Sequence, residues 1–300
     1  MSIARFLKRK APSDESGYSE EPLAEPSAKR MKPTLPSCTF ALGFHAPTFT
    51  VTPPSFSLNI HSPLSGKDII DKDLDMVLYR PFLDSPRQLY NYLLESLPWY
   101  RVRYTVRGMT INTPRYTTVY GKDMMNGVDT AYQKKPRPIP PLLAALKDEV
   151  ERVSGASFNF VLCNFYADGK DSISYHSDDE SFLGPDPTIA SMTLGGTRAF
   201  HMKHKTDRSV PVFKTDLRDA DLLIMRGKTQ ACWEHSVPKR ANVPPRINLT
   251  FRKAINVRGT NNYYRYNVGD GPMFRYVGGK MVETKPELPL ADLLEKSAAP

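Results

Sequence analysis

The chain has 300 residues and a formal net charge of +9, which attracts polyanions, although lysine-rich surfaces without such a partner are about as common. Its length allows a buried core. Three cysteines, Cys38, Cys163 and Cys232, are too few and too far apart for a disulfide framework or a zinc ribbon. No apolar run approaches the roughly 18–20 residues that span a bilayer, so no membrane is expected as a partner.

From Met1 to about residue 55 the sequence is rich in Pro, Ser, Lys and Glu and has no periodic apolar pattern. Such a segment cannot offset its own ordering entropy, and residues 1–55 are expected to be a disordered N-terminal region. Lys8-Arg9-Lys10 and Lys29-Arg30-Met31-Lys32 have the composition of a nuclear import signal or of a solvated tail. Import would place the protein in the nucleus, with the cytoplasm also open to it. In Ser2-Ile3-Ala4-Arg5-Phe6-Leu7 one helical turn would bring Ile3 and Phe6 to one side, as a plug for a hydrophobic pocket. This run resembles a degenerate sliding-clamp-binding box that lacks the usual glutamine and has Leu7 in place of a second aromatic.

The folded region is expected to begin with a strand at Asp75–Tyr79. Ser85–Leu97 has helical spacing, with Ser85 as cap and Pro86 in the first turn. Arg101–Val106 alternates polar and apolar residues, as a half-exposed strand does. Pro141–Val153 is a second amphipathic helix, stopped near Gly155. Short strands follow at Phe158–Tyr166, Ile189–Leu194, Arg198–Lys203, Asp221–Met225 and Arg246–Ala254. Many short strands after two helices indicate a mainly β fold, a sandwich or jelly roll flanked by helices. Residues 256–300 read as an accessory tail.

The chemistry concentrates in Tyr175-His176-Ser177-Asp178-Asp179-Glu180. In extended backbone, residues two apart point to the same face, so His176 and Asp178 can aim an imidazole and a carboxylate at one point. A lone His-x-Asp also occurs in ordinary surface turns and needs a second histidine. His235, after the strand Leu222–Met225 and a turn at Gly227, is the candidate. Two histidines and one carboxylate leave open positions, as non-haem Fe(II) oxygenases require. In Arg246-Ile247-Asn248-Leu249-Thr250-Phe251-Arg252, Arg246, Asn248, Thr250 and Arg252 share one strand face. Burying that face is costly without an anion, and a dicarboxylate such as 2-oxoglutarate matches arginine's fork. A solvated edge strand is the other reading of the same pattern. His45, His61, His201 and His204 lack such a context and are read as surface or structural residues.

Asn164-Phe165-Tyr166, His176-Ser177-Asp178-Asp179-Glu180, His235 and Arg246–Arg252 together resemble the AlkB family of nucleic-acid demethylases, over about Tyr79 to Lys253. The resemblance implies a double-stranded β-helix over residues 76–255, with a nucleotide-recognition lid at about 100–135. It implies Fe(II) on His176, Asp178 and His235, and O2 as the oxidant. It places 2-oxoglutarate with its distal carboxylate on Arg246 and Tyr166, its chelating end near Asn164 and Arg252, and Asn248 and Thr250 on the same face. Glu180 matches a position that reaches the damaged base in relatives. Iron-dependent oxidative decarboxylation of 2-oxoglutarate would hydroxylate an N-methyl group, and the product would lose formaldehyde.

A base inside a duplex must be flipped out to be reached. Thr113–Gly121 resembles the family's lid, in which Arg101, Arg103, Arg107, Arg115 and Lys122 are candidates for phosphates and Tyr120 and Tyr132 for stacking on the base. Met109, after Arg107-Gly108, lies where relatives carry a duplex-probing loop. The expected substrates are 1-methyladenine and 3-methylcytosine in DNA, both cationic and suited to Glu180. RNA is an alternative target, and a non-catalytic nucleic-acid-binding protein on the same fold is the alternative of another class.

Overall fold

In a computed structural model of the chain, residues 54–106, 108–121, 139–255 and 272–284 are described. The expectations for residues 1–53 with Ile3 and Phe6, for Arg107, Lys122 and Tyr132, and for most of the tail lie outside them.

The chain opens with β1 (Gly66–Asp71) and β2 (Leu74–Tyr79), followed by α1 (Pro86–Ser96). Ser85 stands at the N-cap of α1 but makes no side-chain capping bond; Pro86 in the first turn has no N–H to satisfy. The helix buries Leu89, Tyr90, Leu93 and Leu94, one stripe at helical spacing. Each such side chain contributes roughly 1.5–3 kcal/mol. Next come β3 (Trp99–Tyr100), β4 (Arg103–Val106), β5 (Met109–Asn112) and β6 (Tyr116–Gly121). Helix α2 (Pro141–Ser154) buries Leu142, Leu143, Leu146 and Val150 and ends at Gly155, whose φ of 66° is the left-handed cap that glycine adopts without strain.

The remaining strands are β7 (Phe160–Tyr166), β8 (Ile173–His176), β9 (Ile189–Gly195), β10 (Arg198–His204), β11 (Phe213–Leu217), β12 (Leu222–Arg226), β13 (Trp233–Val237), β14 (Arg246–Arg252), β15 (Met273–Val277) and β16 (Lys280–Thr284). A one-turn helix, α3 (Thr229–Cys232), precedes β13. A ten-stranded sheet has the order β1-β2-β12-β9-β14-β7-β6-β3-β15-β16, and a four-stranded sheet has the order β11-β10-β13-β8. From β7 to β14 the chain passes repeatedly between the two sheets, which makes the core a jelly roll, as expected.

Alternation along the central strands divides the interior in two. Ile247, Leu249 and Phe251 of β14, with Val161, Cys163 and Phe165 of β7, pack on the face covered by α1 and α2. Phe160 and Leu162 of β7 face the small sheet, where they join a cluster with Phe200, Met202 and Trp233. The polar face of β14 therefore lies between the sheets. Two sequence readings need correction. Part of the supposed tail is structural: β15 pairs with β3 and extends the large sheet. Residues before 76 also belong to the fold, because β1 pairs along the whole of β2 and extends the large sheet.

Candidate active site

His176 and His235 are direct partners across the β8–β13 ladder. Their ring centroids are 4.2 Å apart. Asp178, two residues past the end of β8, brings its carboxylate to them: Oδ1 is 3.9 Å from His176 Nε2 and Oδ2 is 4.0 Å from His235 Nε2. These spans are within what one cation bonded at about 2.1 Å to each donor can bridge.

Proton positions fit the same role. His176 Nδ1 lies 2.8 Å from the carbonyl of Ser174, which can only accept, so the ring proton sits on Nδ1 and Nε2 keeps a lone pair for the site. Burial pushes His235 down to about 3, with the like charge of His176 adding to it, and burial likewise lowers His176. Burial alone would raise Asp178, but the charge of Arg252, the two histidines and the Arg252 hydrogen bond hold it well below the usual carboxylate range. At neutral pH the site offers two neutral imidazoles and one carboxylate, a donor set for a divalent transition metal.

Asp73, His204 and Cys232 form a second cluster of possible ligands. Here the backbone N–H of Asp207 donates to His204 Nδ1 at 3.0 Å. The neutral ring therefore carries its proton on Nε2, the nitrogen 3.6 Å from Asp73 Oδ2. That atom is a donor, so His204 offers a metal no lone pair, in keeping with its reading as a surface or structural residue.

Between the sheets, the polar face of β14 that reaches Asp178 through Arg252 also carries Arg246. Arg246 is 1% exposed, and its Nη2 donates to Thr193 Oγ1 at 2.9 Å. Its Nε and Nη1 are buried with no hydrogen-bond partner among the described residues. Burial, reinforced by the like charge of Arg198, pulls the guanidinium down to about 10, so it stays charged at neutral pH. Buried N–H groups of an ionised guanidinium are costly when unmatched. A carboxylate of 2-oxoglutarate is the ligand they fit. Tyr166 lies beside them, its ring centroid 5.4 Å from the guanidinium carbons of both Arg246 and Arg198.

The other predicted residues share this face. Asn248 donates from Nδ2 to Ser191 Oγ at 2.8 Å and to the Met192 carbonyl at 3.0 Å, and its Oδ1 accepts from Thr250 Oγ1. Arg252 donates from Nη2 to Asp178 Oδ1 at 2.7 Å. Asn164 Oδ1 accepts from Arg115 Nε at 2.9 Å and from Thr117 Oγ1 at 3.2 Å, which ties Arg115 to β7. Glu180 is half-buried just past the ligand Asp178, at the start of a short 3-10 turn. Met109 is 62% exposed on the separate hairpin of β4 and β5.

Two candidates are not where the sequence reading put them. Tyr120 is 4% exposed and belongs to the core beneath α1 and α2, so its ring cannot stack on a base. Arg101 is occupied by the carbonyl of Thr113 and by Asp171 rather than turned to solvent. Conversely, Thr193, Ser191, Arg198 and Gln230 contribute to the site and were missed. Alternation along β9 could have signalled Ser191 and Thr193; nothing local marks Arg198 or Gln230.

A family model described as the 2OG-Fe(II) oxygenase superfamily matches residues 75–252. It spans β2 to β14 and contains every ligand of the first cluster. The chain is 32% identical over 212 residues to the "DNA oxidative demethylase ALKBH2" of Arabidopsis thaliana, covering 60% of this chain and 67% of the relative. The chain belongs to the AlkB family of 2OG-Fe(II) oxygenases. It is also 38% identical over 185 residues to the mouse "Alpha-ketoglutarate-dependent dioxygenase alkB homolog 3", covering 58% of this chain and 64% of that one. Against the human "DNA oxidative demethylase ALKBH2" it is 39% identical over 160 residues, covering 51% of this chain and 61% of that one. The chain thus spans less than two thirds of the length of several of these relatives. The family's metal and cosubstrate fit this AlkB-family site on its own geometry: three convergent donors with a free lone pair at His176, tied through Arg252 to the strand face that carries Arg246, whose buried Nε and Nη1 have no partner among the described residues.

Proposed function

We propose that the chain is a dioxygenase that oxidatively demethylates alkylated bases in nucleic acid, with 1-methyladenine and 3-methylcytosine in DNA as substrates. The observation that carries the reading is that Arg252, bonded to Asp178 of the His176–Asp178–His235 cluster, shares a strand face with Arg246, whose buried Nε and Nη1 have no hydrogen-bond partner among the described residues. Bound Fe(II) with 2-oxoglutarate and O2 would supply oxidative decarboxylation to succinate and CO2, and with it the hydroxylation of an N-methyl group. The chain's own residues hold and orient. His176, Asp178 and His235 ligate, Arg246 grips the distal carboxylate with Tyr166 beside it, and Arg252 fixes the Asp178 carboxylate. Once hydroxylated, the N-methyl group leaves as formaldehyde without needing a further catalytic side chain.

Support for a nucleic-acid substrate comes from the net charge of +9 and from the activity named for the ALKBH2 relatives. Met109, exposed at the tip of its hairpin, would probe the duplex, and Arg115 and Glu180 would flank the base. The basic clusters at Lys8–Lys10 and Lys29–Lys32 support a nuclear location, and Ile3 with Phe6 would engage a sliding clamp. The test is formaldehyde release from an oligonucleotide carrying 1-methyladenine, with Fe(II), 2-oxoglutarate and ascorbate, and Asp178→Ala in parallel. Turnover abolished by the substitution is the expected result. Iron and 2-oxoglutarate binding without loss of the lesion would overturn the substrate assignment. Methylated RNA and DNA oligonucleotides run side by side would decide between the two polymers.

A further inference from the structure

Asp178 lies beyond the end of β8, so no ladder partner fixes its backbone, and yet it is buried and must present one carboxylate to a cation. Its amide N–H donates to Oε1 of Gln230 at 2.9 Å. Gln230 is 1% exposed and sits on α3, on the far side of the loop from Arg252. A backbone N–H can only donate, so the amide oxygen must face Asp178 and the amide nitrogen must face away. That nitrogen has a weak acceptor waiting, Met225 Sδ at 3.3 Å.

The contact is one of several that dock this loop on α3. Ser177 Oγ donates to the Trp233 carbonyl at 2.8 Å. Lys205 Nζ bridges the Gln230 carbonyl, at 2.8 Å, and the Asp179 carboxylate, at 3.1 Å. The helix is itself braced against β2, where Thr229 Oγ1 accepts from the Asp75 N–H and donates to the Asp75 carbonyl. Five residues after Gln230 in the same short segment comes His235.

The geometry assigns Gln230 as the positioning residue for the metal ligand Asp178. It sets the backbone from which the carboxylate reaches the site, while Arg252 sets the carboxylate itself. Residues that orient a ligand without touching the metal typically govern about 10–100-fold of metal affinity. The assignment rests on the reading of His176, Asp178 and His235 as a metal centre. The experiment separates the two: failure of the unaltered chain to bind Mn(II) defeats the centre, and unchanged binding in the variant defeats Gln230 alone.

Mn(II) alone is titrated into the full chain, unaltered, Gln230→Met and Gln230→Glu. Gln230→Met keeps the length of the side chain and loses the acceptor; Gln230→Glu keeps the acceptor. The expected result is a dissociation constant raised about 10-fold in Gln230→Met, with Gln230→Glu within about 3-fold of the unaltered chain or tighter. Gln230→Met binding within about 2-fold of the unaltered chain, or Gln230→Glu falling as far as Gln230→Met, overturns the assignment. Amide exchange in the unaltered, metal-free chain decides the matter even if Gln230→Met does not fold. The Asp178 N–H should exchange as slowly as the paired amides of β13, and fast exchange would show that Gln230 does not hold it.

Discussion

Arg252 holds Asp178 by one buried charge-assisted bond, Nη2 to Oδ1 at 2.7 Å, with both side chains about 95% out of solvent. The pair joins the polar face of β14 to the metal cluster, so neither half can be removed alone. Asp178→Ala should abolish Mn(II) binding. It should also destabilise the metal-free chain by up to about 3–5 kcal/mol, because one half of a buried ion pair is removed. Urea unfolding of the two metal-free proteins checks this, and equal midpoints would mean that Arg252 finds water or another partner.

Arg246 makes the opposite prediction. Its Nε and Nη1 have no partner among the described residues of the free chain, so Arg246→Met should be nearly neutral for stability without cosubstrate. What should vanish is the rise in Tm produced by 2-oxoglutarate in the presence of Mn(II). A thermal shift that survives the substitution would remove Arg246 from the cosubstrate pocket.

The histidines predict a pH profile. His235 is pushed down to about 3 and His176 is also lowered, each below the ordinary value of 6.5. The unfolded chain therefore takes up these protons first. Stability of the metal-free protein should be full above about pH 7 and fall as pH drops through the histidine range, with Asp178 adding to the loss below about pH 4. Mn(II) affinity should change less between about pH 6 and about pH 8 than the about 4-fold that a ligand histidine of ordinary pKa would give. Calorimetric titration at the two pH values distinguishes these outcomes.

Met109 stands on a two-stranded ribbon outside both main sheets, with Ile111 46% exposed nearby. Met109→Ser should leave stability within about 0.5 kcal/mol, since the side chain is largely exposed. Turnover on double-stranded methylated DNA should fall several-fold relative to the single-stranded form. Equal losses on both substrates would mean that the hairpin does not engage the duplex.

Much of this site could be read from the sequence because strands have a period of two. Arg246, Asn248, Thr250 and Arg252 fall on one face whatever the partners, and His176 and Asp178 needed only a second histidine. Alternation does not say which face looks inward. In β6 the register Thr117 opposite Asn164 turns Thr117 toward the pocket and sends Tyr116 and Tyr120 under the helices. That register is set by a strand more than forty residues away, so the stacking role assigned to Tyr120 could not be checked locally. The same holds for β15, a tail segment by composition that becomes a strand only because β3 offers an edge. Gln230 and Arg198 owe their places to contacts with distant loops, and no local pattern distinguishes them from ordinary polar residues.

His235 is on β13, paired on both sides by β10 and β8, whereas His176 closes the short strand β8, paired on one side only. Ladders open first where they are bonded once, so thermal fraying of β8 would release His176 while His235 stays seated. A metal centre held by these residues would then have a fixed jaw and a hinged one, and ion exchange would run through the hinged jaw at a small fraction of the free energy of global unfolding.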